Sequence, residues 1–600
     1  MKVLTFDETF TSMQAQEYYS SNILKGKTEL KRLKKTLLQY AMLRLFIFLS
    51  IVGFSYLFRS NISIVLLVIV LGISLFLLFV SKFTDAKNQR KYYKKYVQIN
   101  EDEFNLFNGD LTPFDTGEQF ISEEHYYNQD IDLFGEGSIF QHICRSKTKN
   151  GIQNLANILN SNNIDSIEEK QITIKELSKK ENWRQHFQIT ASLIEKENQT
   201  EAMLKWIKNY QPIIPQYLRF LPFIFSLFSI VAIGGYFMDL LPGKYLLYWF
   251  LIGLMITGKY VKKVTHLYQS ASKMQDTFTQ YAHLLDGIEK ESFDCDVLKE
   301  KQKIISTNGL KASELLRKYT AAIDHLGQRN NLLFSPPANG FFLWDILSAY
   351  RVEKWLVNFK STVKEWFEVI EYFDAMNSLG NYTFNNQGYV FPVLSEKNTT
   401  IKATELGHPL LRKDQLVSND IELLKDEFFI ITGANMAGKS TFLRTIALNI
   451  VLANCGLPVQ AKSFSYEPIK LISSMRTSDS LQNDESYFFS ELKRLKFIVD
   501  EIKNDRFFII LDEILKGTNS KDKAEGSKKF VKKLVDSKST GVIATHDLSL
   551  CTLAEELPEV KNHYFDAEII DDELFFDYTF KKGICQNMNA SFLLKKMEIV

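Results

Sequence analysis

The sequence predicts an α/β P-loop domain C-terminal to an α-helical core, with two transmembrane helical hairpins set into the helical part. Three observations carry this expectation: the stretch ITGANMAGKSTFLRT at 430–444, three short apolar runs that end in polar, reactive residues, and four long segments with almost no charge. At 600 residues the chain exceeds one hydrophobic core, so roughly three or four domains of about 150 residues are expected. Lysine plus arginine, 72, nearly equals aspartate plus glutamate, 71, which excludes the global basic signature of a nucleic-acid coat protein and leaves only local basic faces. The cysteines Cys144, Cys295, Cys455, Cys551 and Cys585 lie far apart, and the nine histidines show no ligand spacing. Both facts point away from a disulfide framework or zinc site and toward a reducing compartment.

The apolar segments, in chain order, are roughly 36–58, 62–81, 218–238 and 245–258. They pair into two hairpins. The nineteen uncharged residues 62–80 and the nineteen at 220–238 each approach the ~30 Å hydrocarbon thickness at about 1.5 Å per residue. The first segment contains Arg44, and the fourth has fourteen uncharged residues between Lys244 and Lys259, so each needs snorkelling or burial against its partner. A helix that is apolar all round has few places to hide in water, which separates these segments from the core hairpins of a soluble protein. A first span that begins after about 35 residues, with a second at once behind it, is also unlike a cleaved signal peptide. Lys25, Lys27, Lys31, Arg32, Lys34 and Lys35 precede the first hairpin, and Lys82, Lys87, Arg90, Lys91, Lys94 and Lys95 follow it. Lys259, Lys262 and Lys263 follow the second. The positive-inside rule puts all these flanks in the cytoplasm and predicts a multi-pass protein of the cytoplasmic (inner) membrane. The spans hold no acidic residue or broken-helix pattern of a substrate path. The expected organisation is a basic segment at 1–35, hairpins at 36–81 and 217–261, and a charged linker at 82–120. The helical core occupies 121–216 and 262–395, and the P-loop domain 396–600.

The run 427–432 ends in Gly433, and Phe442, Leu443, Ile446, Ala447, Ile450 and Val451 follow Lys439 at helical spacing, giving strand, loop and helix. Between them Gly433, Ala434, Asn435, Met436, Ala437, Gly438, Lys439 and Ser440, followed by Thr441, satisfy GxxxxGK[ST]. In that pattern backbone N–H groups and a helix N-terminus surround phosphates, so ATP with Mg²⁺ is the expected ligand. Lys439 is expected to reach the β/γ-phosphates and Ser440 to hold Mg²⁺. A second strand, 507–511, runs into Asp512, suited to Mg²⁺, and Glu513, suited to positioning and polarising an attacking water. A third, 541–545, ends at His546, where an imidazole can sense a γ-phosphate. Three strand ends delivering chemistry to one edge predict a parallel sheet with its ligand at the carboxyl ends.

GANMAGKST, the Asp512-Glu513 pair followed by Gly517-Thr518-Asn519-Ser520, and Ala544-Thr545-His546-Asp547 together resemble the MutS family of mismatch-recognition ATPases, within the ABC-type ATPase superfamily. The Asn435-Met436 pair is the most family-specific feature. Gly407-His408-Pro409 and 416–421 are similar to the entry into that family's ATPase domain, and 486–491 is similar to its signature segment. By that resemblance Ser486 acts in trans on the γ-phosphate of the other subunit, which implies a homodimer with two composite ATP sites. Asp132-Leu133-Phe134-Gly135, Ser138-Ile139-Phe140 and 148–151 resemble the start of the family's core or lever domain, and Tyr389-Val390-Phe391-Pro392 its end. The resemblance covers roughly 120–200 and 385–590. It implies an α/β P-loop (ABC/MutS-type) ATPase domain C-terminal to an α-helical core/lever domain, with Lys439, Glu513 and His546 catalytic. It further implies binding of mismatched or branched DNA in a repair context.

The departures are as informative. No Phe-x-Glu wedge of a mismatch-reading domain precedes the core, and about 125 residues between the second hairpin and Tyr389 are too few for two long lever arms with a clamp. Lys516 stands where the family usually has arginine, and 583–600 only loosely resembles its dimerisation end. The alternative expectation is an ABC-like membrane motor or membrane-remodelling ATPase that has lost DNA binding. Trp355, Phe359, Val363, Trp366, Val369 and Ile370 recur at helical spacing and predict a helical core, with Pro336-Pro337 as a breaker. The lysine run at 516–538 reads as a solvated helix face rather than a DNA contact.

Overall fold

The computed structural model describes residues 6–194, 200–307, 309–395, 398–412, 414–434, 436–476, 487–570 and 573–586. The chain begins with two antiparallel helices of 52 and 45 residues, Phe6–Leu57 and Ile62–Leu106, joined by a turn in which the Asn61 side chain accepts from Ile64 N. Both are long and apolar enough to cross a membrane, and their apolar stretches are almost wholly exposed. A Cβ at Gly72 would overlap the Ile51 side chain, and one at Gly26 would sit 2.5 Å from Val97, so glycine at both places lets the helices close on each other. The Arg44 guanidinium, half-buried, lies 4.9 Å from the Phe83 ring and 5.6 Å from that of Phe76 on the partner helix, which covers its charge.

Within the expected basic segment at 1–35 and charged linker at 82–120, residues 6–35 and 82–106 are helical. They continue the hairpin as a two-helix stalk, with Lys27 paired to Glu101 at 2.7 Å. Dense charge suggests a linker, yet charges on the outer face of a paired helix leave its backbone bonds intact. At the stalk's root, Glu103 is 1% exposed and accepts from Arg145 Nε, Arg145 Nη2 (3.2 Å), Asn381 Nδ2 (2.9 Å) and Asn385 Nδ2 (3.0 Å). Tyr19 from the first helix donates to Asn385 Oδ1 at 2.7 Å.

The expectation of four spans is met by length and composition only in the first pair. Leu221–Phe237 is a shorter apolar helix of 17 residues, and Gly243–Ser272 carries Lys259, Lys262 and Lys263 within its 30 residues. These two helices pack through Phe225 and Trp249, whose rings stack at 4.4 Å, while Trp249 Nε1 donates to Ser229 Oγ at 2.7 Å. The region after them folds into helices of 8 to 24 residues. Trp355, Val363, Trp366, Val369 and Ile370 are buried there, with Phe359 packed against them. Pro336-Pro337 does not break this region. The pair opens the helix Ser335–Phe342, in whose first turn a missing N–H costs nothing.

The C-terminal domain is built on a six-stranded sheet ordered Lys581–Lys582, Val560–Phe565, Phe428–Gly433, Thr540–Ala544, Phe507–Asp512 and Lys470–Ser474. All neighbours are parallel except the first pair. A four-stranded sheet containing Thr399–Leu406 and Asn419–Leu424 lies beside it. One hydrophobic core runs without interruption from Tyr127 in the helical part to Phe565 in the sheet, so the two parts share an interior. Replacing Glu103 with alanine leaves the Arg145 guanidinium, only 4% of which is exposed in the residue as a whole, without its carboxylate. The expected loss is about 3–5 kcal/mol in a urea-unfolding measurement.

Candidate functional site

The strand Phe428–Gly433 is buried throughout and hands the chain to a loop that only glycine permits. Gly433 has φ +150°, and a Cβ there would lie 2.5 Å from the Phe565 carbonyl oxygen. Gly438, at φ +100°, begins the helix Lys439–Asn454, which has no side-chain cap and no acid in its first turn. Its first N–H groups therefore face the loop as a site for an anion, the fit a triphosphate needs.

Lys439 is 5% exposed and donates from Nζ to the carbonyls of Gly433 (2.8 Å) and Ala434 (2.9 Å). His546 Nε2 lies 2.9 Å from Glu513 Oε1 and 3.3 Å from Lys439 Nζ. Ionised Glu513 has only acceptors, so Nε2 carries the proton and donates it to the carboxylate, and the lysine approach is a contact. The His546 hydrogen bond outweighs desolvation and holds the Glu513 carboxyl down at about 2. A carboxylate that acidic is a fixed negative charge rather than a proton acceptor at neutral pH. Burial lowers the Lys439 ammonium from its ordinary value. Residues from three strand ends thus meet, and Asp512 ends an outer one of those three strands, opposite Ala544 on the middle one.

Beside them a cleft of about 630 Å³ is lined by Ser440, Thr441, Lys439 and Glu513 on one side and by His408, Val417 and Tyr578 on the other. Met436, 78% exposed with φ +68°, stands at its mouth, and Ala437 is buried beneath the loop. Burial pushes the His408 imidazole down to about 4, leaving a neutral ring that suits a flat base. Ser440 lines this cleft, and Asp512 stands next to the lining residue Glu513 in sequence, so their oxygens are the donors that suit a Mg²⁺ ion. Asn435 and Ser486 lie outside the described residues.

Three features were not read from the sequence. Glu491, 3% exposed, accepts from the backbone N–H of Leu515 and of Lys516 (3.0 Å) and so shapes the loop in which Glu513 takes φ +50° and Leu515 φ +59°. The only signal was its place at the end of the 486–491 motif. Tyr578 is held by its carbonyl on Asn419 Nδ2 at 3.0 Å, a contact 159 residues apart in sequence. Asp132, from the first block of resemblance, pairs with Arg444 (3.1 Å) on the helix that follows the loop and with Arg476 (2.7 Å). The lysine run lies on the helix Ser520–Asp536, where Lys528 pairs with Glu556 at 2.7 Å and Lys529 with Glu525 at 2.6 Å. Glu491→Ala strands two backbone donors, with an expected stability loss of about 1–3 kcal/mol by chemical denaturation, and Glu491→Gln, which keeps one acceptor, loses less.

The family model described as MutS domain V matches residues 429–596. MutS protein homolog 4 of Homo sapiens is 29% identical over 222 residues, 35% of this chain and 23% of that protein. The DNA mismatch repair protein MutS of Desulfatibacillum aliphaticivorans is 32% identical over 225 residues, 36% of this chain and 25% of that one. The DNA mismatch repair protein MSH3 of Meyerozyma guilliermondii is 30% identical over 237 residues, 37% and 24% respectively. The chain spans about a quarter of the length of these curated relatives. Residues 429–596 hold the glycine loop, the Asp512 strand and His546, and it is this segment that is similar to domain V of the MutS family.

Proposed function

We propose that this chain is a membrane-anchored, MutS-type ATPase that binds and hydrolyses ATP as a homodimer on the cytoplasmic side and acts on mismatched or branched DNA. The observation that carries the reading is the meeting of Lys439, Glu513 and His546 at the carboxyl ends of parallel strands, within the segment that matches MutS domain V. Support for DNA comes from relatives named as DNA mismatch repair proteins. Support for the dimer comes from the resemblance of 486–491 to the signature segment. The exposed apolar hairpins support the anchor, with Lys259, Lys262 and Lys263 and the stalk lysines on the cytoplasmic side.

Lys439 is folded back on its own loop, and Glu513 is held by His546. A triphosphate laid on the N-terminus of Lys439–Asn454 offers Nζ stronger acceptors than the two carbonyls, which draws the ammonium forward. His546 can then turn its Nε2–H to the γ-phosphate. Glu513, free of that bond, recovers an ordinary carboxylate basicity and orients the attacking water. Ser440 and Asp512 would hold Mg²⁺, which would supply charge neutralisation on the phosphate oxygens. The rival reading, a membrane motor without DNA, is favoured by one observation: the stalk root at Glu103 and Tyr19 is bonded directly to the central helix Thr362–Asn385.

Two substitutions test the ATPase. Lys439→Ala is expected to lose nucleotide binding, read with a fluorescent ATP analogue. Glu513→Gln is expected to bind ATP, lose turnover and accumulate as a dimer in light scattering of the detergent-solubilised protein. Wild-type hydrolysis by both variants removes these residues from the mechanism.

A further inference from the structure

The fifteen residues 330–344, NNLLFSPPANGFFLW, carry no charge, and the charges that flank them, Arg329 and Asp345, pair with each other at 3.2 Å. Both side chains of that pair are less than a tenth exposed. The segment is therefore an uncharged excursion closed at its base by an ion pair. Arg329 Nη2 also donates to Thr265 Oγ1 at 3.0 Å, on the far side of Lys259, Lys262 and Lys263 from the apolar half of Gly243–Ser272.

From that base the chain runs into the second hairpin. Gly253 and Gly340 touch so closely that a Cβ on Gly253 would overlap the Gly340 carbonyl, and one on Gly340 would overlap the Phe250 ring. Gly253 is twelve residues from Thr265 along the helix, about 18 Å at 1.5 Å per residue, and six residues, about 9 Å, inward of Lys259. On the other helix the contact is with Ser229, whose hydroxyl reaches the Phe341 carbonyl at 2.5 Å and lies at the middle of Leu221–Phe237. The excursion thus reaches the mid-level of the hairpin and returns through Leu343, at φ +51°.

Two of its asparagine side chains bond its own backbone or that of Asp345. Asn331 Oδ1 accepts from Leu333 N (3.0 Å) and Phe334 N (3.3 Å), and Asn339 Oδ1 accepts from Asp345 N (2.9 Å). Pro336 and Pro337 sit in the first turn of Ser335–Phe342, where they remove two N–H groups that would otherwise lack partners. Its outer surface is apolar. Leu332 (87%) and Leu333 (89%) are more exposed than any other large apolar side chain among the described residues, including Phe237 (80%) at the end of the hairpin helix.

We infer that residues 330–344 form a re-entrant membrane element: the chain enters the bilayer from the cytoplasmic side, docks at Gly253 and Ser229, and leaves Leu332, Leu333 and Phe342 covered by lipid hydrocarbon. Irregular backbone is tolerated at membrane depth where it is packed against protein, as it is at the Gly253–Gly340 contact. The element also supplies the burial that the short apolar run 245–258 needs. The inference rests on the second hairpin being membrane-embedded, and the test separates the two.

The full chain is reconstituted in phosphatidylcholine–phosphatidylglycerol vesicles with a polarity-sensitive dye on Leu333→Cys, on Ile230→Cys in the hairpin helix, or on Lys496→Cys, whose side chain is 78% exposed. The five native cysteines are buried, and the unsubstituted protein provides the labelling background. Quenching is read with a spin label on the lipid acyl chain and with aqueous iodide. The expected result is that the dyes at Leu333 and Ile230 lose fluorescence to the lipid quencher to a similar extent and are shielded from iodide, with the reverse at Lys496. Lipid quenching at Ile230 but iodide quenching at Leu333 overturns the re-entrant element and leaves the hairpin standing. Iodide quenching at both overturns the hairpin reading as well. A dye at Leu333 shielded from both quenchers means that protein covers the site, which also overturns the proposal.

Discussion

The helix Thr362–Asn385 is buried over most of its 24 residues, and the polar groups it takes into the interior dictate what surrounds it. Asp374 accepts from Lys147 N (3.0 Å), Thr148 N (2.8 Å) and Thr148 Oγ1 (2.7 Å). Ser378 Oγ accepts from Arg145 N (3.0 Å), and Asn381 Oδ1 accepts from Arg184 Nη1 (2.8 Å). Asn381 and Asn385 complete the shell around Glu103. Each such group costs about 1–3 kcal/mol if left unmatched, so the first helical block, the helix Glu181–Ala191 and the stalk are registered against one element. The N-terminal hairpin is therefore not a loose tether. Its root is part of the same buried polar network that orders the core.

The nucleotide site reaches that network through a short series of contacts. Arg444, five residues beyond Lys439 on one helix, holds Asp132. Arg494 donates to the carbonyls of Tyr126 (2.6 Å) and Ser473 (2.7 Å), and the Tyr126 ring stacks on Phe507 at 5.6 Å, at the start of the strand that ends in Asp512. From residues 126–132 the chain leads to Thr148 and its bond to Asp374. Packed interiors transmit displacement because they have little free volume. This contiguous route gives a physical basis for coupling ATP binding to the stalk, and it uses Asp132 from the DLFG block that the resemblance placed at the start of the lever.

Much of this was legible in the sequence where the signal is local. The glycine loop, the strands ending at Asp512 and Ala544, and the buried helix carrying Trp366 and Ile370 follow from short-range pattern and spacing. Features made by contacts across the chain were not. The stalk reads as a basic segment and a linker because Tyr19 and Glu103 are seated on Asn381 and Asn385, more than 270 positions away. Pro336-Pro337 reads as a break because its helix is stabilised by docking on Gly253, which no local propensity reports. Glu491 and Tyr578 shape the site from loops whose proximity only the fold creates.

The central claim, a membrane-anchored MutS-type ATPase that answers to DNA, is tested most directly by ATP hydrolysis of the detergent-solubilised full chain with and without duplex and branched DNA at two salt concentrations. The account predicts stimulation by DNA that fades as salt rises, because phosphate contacts release counterions. Hydrolysis that is indifferent to DNA and changes with added lipid would contradict it and favour a motor acting within the membrane.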